Sequence, residues 1–143
     1  MADFLLPVDD DELTAPFWAG CARGELLMQR FTQSGRYCWP PRPMDPTTRS
    51  LDYEWVPVSG KGTVWSVAIP HPPLLPAYSD LAPYNVVLVE LAEDPHLRMV
   101  GNVVESADAP LNGVDPHSVH IGDAVQVVFS PVGDMFLPRW VRA

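Results

Sequence analysis

A chain of 143 residues holds one domain of ordinary size, or a barrel with a small appendage, and excludes two full domains. At 47% apolar and 19% charged it can build a core, which excludes the disordered class. The net charge of -9, with Lys61 as the single lysine beside eight arginines, has the wrong sign for a polyphosphate and argues against a nucleic-acid partner.

Met1-Ala2-Asp3-Phe4 lacks the basic and apolar regions of a signal peptide, and no window approaches the roughly 20 apolar residues of a membrane span. A cytoplasmic protein with no membrane partner is expected. Asp3, Asp9, Asp10, Asp11 and Glu12 form an acidic lead-in that suits a helix N-terminus. The helix is predicted from about Thr14, as N-cap, to Arg23, with Pro16 in its first turn and Gly20 and Gly24 weakening it. Its Phe17-Trp18 pair is too bulky to stand in water, so the barrel or another subunit covers it.

Leu26–Arg30 and Gly35–Trp39 read as a small hairpin through the turn Thr32–Gly35. Prolines then mark two loops, Pro40 to Pro46 and Pro70 to Pro76. Glu54–Val58 leads through Ser59-Gly60-Lys61-Gly62 into the β-branched and aromatic run Thr63–Ile69. Further strands are predicted at Tyr84–Leu91, Leu97–Val104, Ala124–Phe129 and Met135–Trp140, and five strands suggest a closed barrel. Glu93-Asp94-Pro95-His96 is a tight connection, whereas 70–83 and 105–122 are long loops, the part of a barrel that usually carries function.

Several segments follow one another in a distinctive order and spacing: Phe17-Trp18 with Gly24-Glu25-Leu26, Ser34-Gly35-Arg36, Pro40-Pro41-Arg42, Val58 to Val64, Pro83-Tyr84, Val87 to Leu91, and Ile121-Gly122-Asp123. Together they resemble the DUF35 family, a rubredoxin-like zinc ribbon joined to an OB fold and often associated with thiolases and other acyl-CoA enzymes. The resemblance implies a mainly β chain: a lead-in and helix over 1–25, a ribbon-like hairpin over 26–52, and a five-stranded OB-fold barrel over 53–143. The family's four zinc cysteines would fall at Phe31, Ser34, Asp45 and Thr48, none of which is cysteine. Cys21 and Cys38 lie 17 residues apart and read as free thiols. No zinc or other cofactor is therefore expected, and Phe31, Tyr37, Trp39 and Met44 are candidates for a small apolar core in its place.

The resemblance further implies a non-catalytic accessory subunit in a hetero-oligomer. Its partner would be a thiolase-like, or aldolase- or lyase-like, acyl-CoA enzyme whose acyl-CoA site it helps to form or cover. Trp18, Phe31, Tyr37 and Trp39 are candidate interface anchors, because aromatic residues dominate interface hot spots. Arg42, His71 and Tyr78 are candidate contacts to a CoA thioester held at that interface.

Other chemistry is weakly signalled. His117-Ser118-Val119-His120 spaces two imidazoles like the start of a metal site, but the setting is a turn before a strand. Gly60-Lys61-Gly62-Thr63 lacks phosphate-loop spacing, and Cys38 has no flanking nucleophile signature. The alternatives left open are a stand-alone acyl-CoA binding module and a small enzyme using His117 and His120.

Overall fold

The computed structural model describes residues 4–143; Met1, Ala2 and Asp3, the start of the acidic lead-in, lie outside the described residues. Helix α1 spans Ala15–Ala22. Thr14 precedes it as expected but makes no side-chain cap bond. The Asp11 carbonyl instead accepts from the Thr14 and Ala15 amides at 3.0 and 2.7 Å, and Pro16 has no amide to satisfy in the first turn. Gly20 serves packing: a Cβ there would lie 2.8 Å from the Leu27 side chain. Gly24, at φ 78°, turns the chain out of the helix.

Three strands follow, β1 (Leu27–Phe31), β2 (Tyr37–Cys38) and β3 (Tyr53–Pro57), in the order β2-β1-β3. β3 falls in the range that the sequence reading gave to the barrel, yet it pairs along the whole of β1, from Leu27 opposite Pro57 to Phe31 opposite Tyr53. A β-branched run announces a strand without naming its partner. Here the partner lies across the Pro-rich loop, and the ribbon is a three-stranded sheet rather than a hairpin.

The second sheet contains β4 (Lys61–Ala68), β5 (Val86–Leu91), β6 (Arg98–Gly101), β7 (Ala124–Val132) and β8 (Met135–Arg142), in the order β6-β5-β4-β7-β8. All neighbours are antiparallel. An irregularity between Val64 and Ser66 breaks the register with β5, and such bulges bend a strand. The sheet curls until its ends meet. Val103 bridges Trp140 in parallel, with the Val104 amide donating to the Trp140 carbonyl at 2.8 Å and the Trp140 amide to Asn102 at 3.0 Å. Asn85, fully buried, pins this seam: its side chain donates to the Val103 carbonyl at 2.8 Å and accepts from the Val103 amide at 2.7 Å. This is the strand order and closure of an OB fold.

Inside the curl, Val64, Val87, Val89, Leu91, Leu97, Met99, Val103, Val125 and Trp140 pack together, joined by Phe17 and Cys21 from α1 and by Leu26 and Met28 from the ribbon. Helix, ribbon and barrel thus share one core, and each such side chain contributes about 1.5–3 kcal/mol on burial. The hairpin β7/β8 outruns the barrel. β7 pairs with β4 only through Ala124–Gln126, while its pairing with β8 continues to Val132 opposite Met135. A short helix α2 (Pro76–Ser79) interrupts loop 70–83, and two 3-10 turns, Leu111–Gly113 and Pro116–Ser118, order loop 105–122. Among the described residues no helix is long and apolar enough to cross a membrane.

Candidate functional site

The junction of α1, ribbon and barrel forms an aromatic cleft of about 360 Å³. Phe17, buried at its base, meets Trp18 edge-on at 4.9 Å and Trp39 at 4.5 Å. α1 supplies the first tryptophan, and the second directly follows β2. Tyr78 from α2 and Tyr84 from the approach to β5 form the opposite wall, their rings 6.1 Å apart, and Arg139 of β8 closes one end. Burial raises the Tyr84 hydroxyl above its ordinary pKa, with Tyr78 adding to the shift. Burial lowers the Arg139 guanidinium, opposed by Tyr78.

The structure therefore brings Trp18, Trp39 and Tyr78 together. Trp39 also borders a second recess of about 200 Å³ that contains Tyr37, Arg36, Arg42 and His96. Arg42 lies there, apart from Tyr78, with an exposed side chain. His71 is exposed and lines neither recess. Phe31 is a correction: it is 1% exposed and packs edge-on against Tyr53 at 6.0 Å, so it is a core residue of the ribbon rather than an interface anchor. Met44 corrects in the other direction, being 44% exposed and outside any small ribbon core.

Polar residues to which the sequence assigned no structural role organise the ribbon. Asp45 is fully buried, and its carboxylate accepts from the Ser34 hydroxyl at 2.6 Å, the Thr47 hydroxyl at 2.6 Å and the Thr47 amide at 2.9 Å. Those bonds, from Ser34 first and then Thr47, hold its carboxyl well below the usual carboxylate range. The Arg36 guanidinium donates to the Thr47 hydroxyl at 2.9 Å, and the Arg36 amide to the Ser34 hydroxyl at 3.2 Å, closing a ring of bonds. Gln29, also fully buried, clamps the backbone of Arg42 by accepting from its amide at 2.9 Å and donating to its carbonyl at 2.7 Å.

Zinc does not fit this arrangement. Of the four positions that the family resemblance assigns to ligands, Phe31 has no donor atom, Ser34 is spent on Asp45, and Thr48 accepts from the Ser50 amide at 3.2 Å. Asp45 is the lone anionic group, and both its oxygens are taken. Among the described residues no group of three or more His, Cys, Asp or Glu side chains gathers to hold a metal ion.

Acid–base and nucleophilic chemistry find equally little. His117 and His120 are both exposed; His117 stands 3.5 Å from Asp115, itself 71% exposed, and His120 uses its backbone amide on Asp123. Burial pushes the Cys21 thiol up to about 12 and also raises Cys38, whose nearby Arg42 and Arg36 only partly offset the effect. Neither thiol is poised as a thiolate at neutral pH.

A ribbon sheet fused through a shared core to an OB-fold barrel, with an aromatic cleft at their junction, defines a docking or binding module. Residues 55–130 match the family described as ChsH2, C-terminal OB-fold domain. The chain is 32% identical over 111 residues to a "DUF35 domain-containing scaffold protein" of Methanothermobacter thermautotrophicus, spanning 77% of this chain and 75% of that one. The chain belongs to the DUF35 family. It is also 35% identical over 127 residues, 89% of its length, to the "3-oxo-4,17-pregnadiene-20-carboxyl-CoA hydratase alpha subunit" of Mycobacterium tuberculosis, of which it spans 37%. A chain in the solved structure "Ltp2-ChsH2(DUF35) aldolase" superposes with a TM-score of 0.79 at 28% identity, covering 95% of this chain and 98% of that one.

Proposed function

We propose that this chain is a non-catalytic accessory subunit, cytoplasmic and metal-free, that docks on a thiolase-like, or aldolase- or lyase-like, acyl-CoA enzyme and helps form or cover its acyl-CoA site. The observation that carries this reading is the pairing of half-buried Trp18 and Trp39 over Phe17 beside Tyr78. Such a rigid aromatic surface suits an interface, and the described residues beside it offer no nucleophile or acid–base pair. The near-complete superposition on a chain of a named aldolase assembly supports the same role. Arg42, beside Trp39, remains a candidate for CoA phosphate or a partner carboxylate, and His71 for a contact across the interface.

The test is purification of the tagged chain from its native cytosol, with sizing and mass spectrometry, beside a Trp18→Ala, Trp39→Ala variant. Stoichiometric recovery of a thiolase-fold or acyl-CoA lyase enzyme, lost in the variant, is expected. A monodisperse, unaccompanied chain that binds acyl-CoA overturns the reading in favour of a stand-alone binding module.

A further inference from the structure

Three arginines of the chain are half-buried: Arg30, Arg98 and Arg139. Arg30 reaches Glu54 at 3.2 Å, and Arg98 stacks over Trp65 at 4.0 Å. Arg139 has neither a salt bridge nor an aromatic face among the described residues. A guanidinium drawn part-way from water without an anion is unfavourable, so its surroundings matter.

Arg139 lines both the aromatic cleft and a further cavity of about 390 Å³, the two sharing Leu111 as well. That cavity is lined largely by small and apolar side chains, among them Phe4, Ala77, Leu81, Ala109, Leu111 and Val132. Its volume falls in the range of about 300–1,000 Å³ typical of small-molecule sites. Asp80 and Asp108 also line it, and neither comes within ion-pair distance of Arg139. Phe4 covers one side, its ring against Tyr78 at 5.1 Å and 67°. Among the described residues, Phe4 to Asp10 make no backbone hydrogen bond to the barrel or ribbon, so this cover can move without breaking a ladder.

We propose that Arg139 anchors the carboxylate of an apolar acid whose hydrocarbon body lies in the cavity beneath Phe4. The site lies wholly on this chain and goes beyond the accessory role. An acyl thioester carries no charge beside its acyl chain, whereas a free carboxylate meets a guanidinium with two parallel bonds. The ligand class is therefore a medium-chain or alicyclic free acid.

Calorimetric titration of the intact chain with decanoate, decanol and free CoA tests this, with thermal melts to establish that each variant is folded. Saturable one-to-one binding of decanoate is expected, weakened at least about tenfold in decanol or on Arg139→Met. Ala109→Trp, which fills the cavity and keeps the charge, abolishes binding and keeps the test valid should Arg139→Met fail to fold. Absence of decanoate binding, equal affinity for decanoate and decanol, binding unchanged in either folded variant, or binding of CoA alone overturns the proposal. None of these results bears on co-purification of a partner enzyme, so the two readings fail separately.

Discussion

Ribbon and barrel are both β structures, yet they are held in different ways. The barrel closes on itself, and its interior is an almost unbroken layer of Val, Leu, Met and Trp140. The ribbon has only three strands and a loop, residues 39–52, too long to pair with them. Backbone groups in that loop still need partners, and Gln29 and Asp45 provide them from inside. Among the described residues, two of the four buried polar side chains, those of Gln29 and Asp45, lie in the smaller part of the molecule. A closed sheet can rely on apolar area, whereas a small open one relies on side chains that substitute for missing strand pairing.

The largest effect expected from breaking this contrast is in the barrel. Trp140→Ala removes a side chain 1% exposed at the centre of the shared core and lowers stability by about 3–5 kcal/mol, read by chemical denaturation as one global transition. Separate unfolding of helix and ribbon in that variant would show that they do not share the barrel core.

A smaller effect follows from Gln29→Leu, which leaves the Arg42 amide and carbonyl unpaired and costs about 1–3 kcal/mol. Native-state amide exchange should quicken over residues 39–52 and stay slow in β4 and β5. Uniform acceleration would argue against an independently held ribbon.

The smallest effect is acidification. The folded pKa of Asp45 is depressed, so its contribution is complete above the unfolded value of about 4 and fades as pH falls below it toward the folded value. Amide resonances of residues 31–52 should lose dispersion as pH falls well below about 4, before those of the barrel, and Asp45→Asn should bring part of that change to neutral pH. A ribbon and barrel that titrate together would remove the distinction.

Much of the fold was legible because β-branched runs such as Val86–Leu91 announce strands locally, and turn residues such as Asp94-Pro95 end them. The pairing of β3 with β1 was not, since it depends on how the Pro-rich loop doubles back. At the site, Trp18, Trp39 and Tyr78 could be chosen by residue type alone. Phe31 was misplaced because an aromatic ring looks the same in sequence whether it faces a partner or a core, and only Tyr53, brought in by β3, decides. Gln29 offered one faint signal, a polar residue within the apolar run Leu26–Phe31. Asp45 was marked only as a position where the family resemblance expects a cysteine, which gave no hint of its hydrogen bonds, and Arg139 offered no signal.

Where β7 runs past β4, its outer edge pairs with no strand among the described residues, and Pro131 stands in that stretch opposite Phe136. An open edge of this kind is a template for another chain to extend the sheet, with fibre growth as the hazard. A proline offers no amide to such a newcomer, so the arm resists main-chain addition where it projects furthest. Recognition along this part of the surface falls to side-chain shape, and the open edge does not invite copies of the chain to extend the sheet.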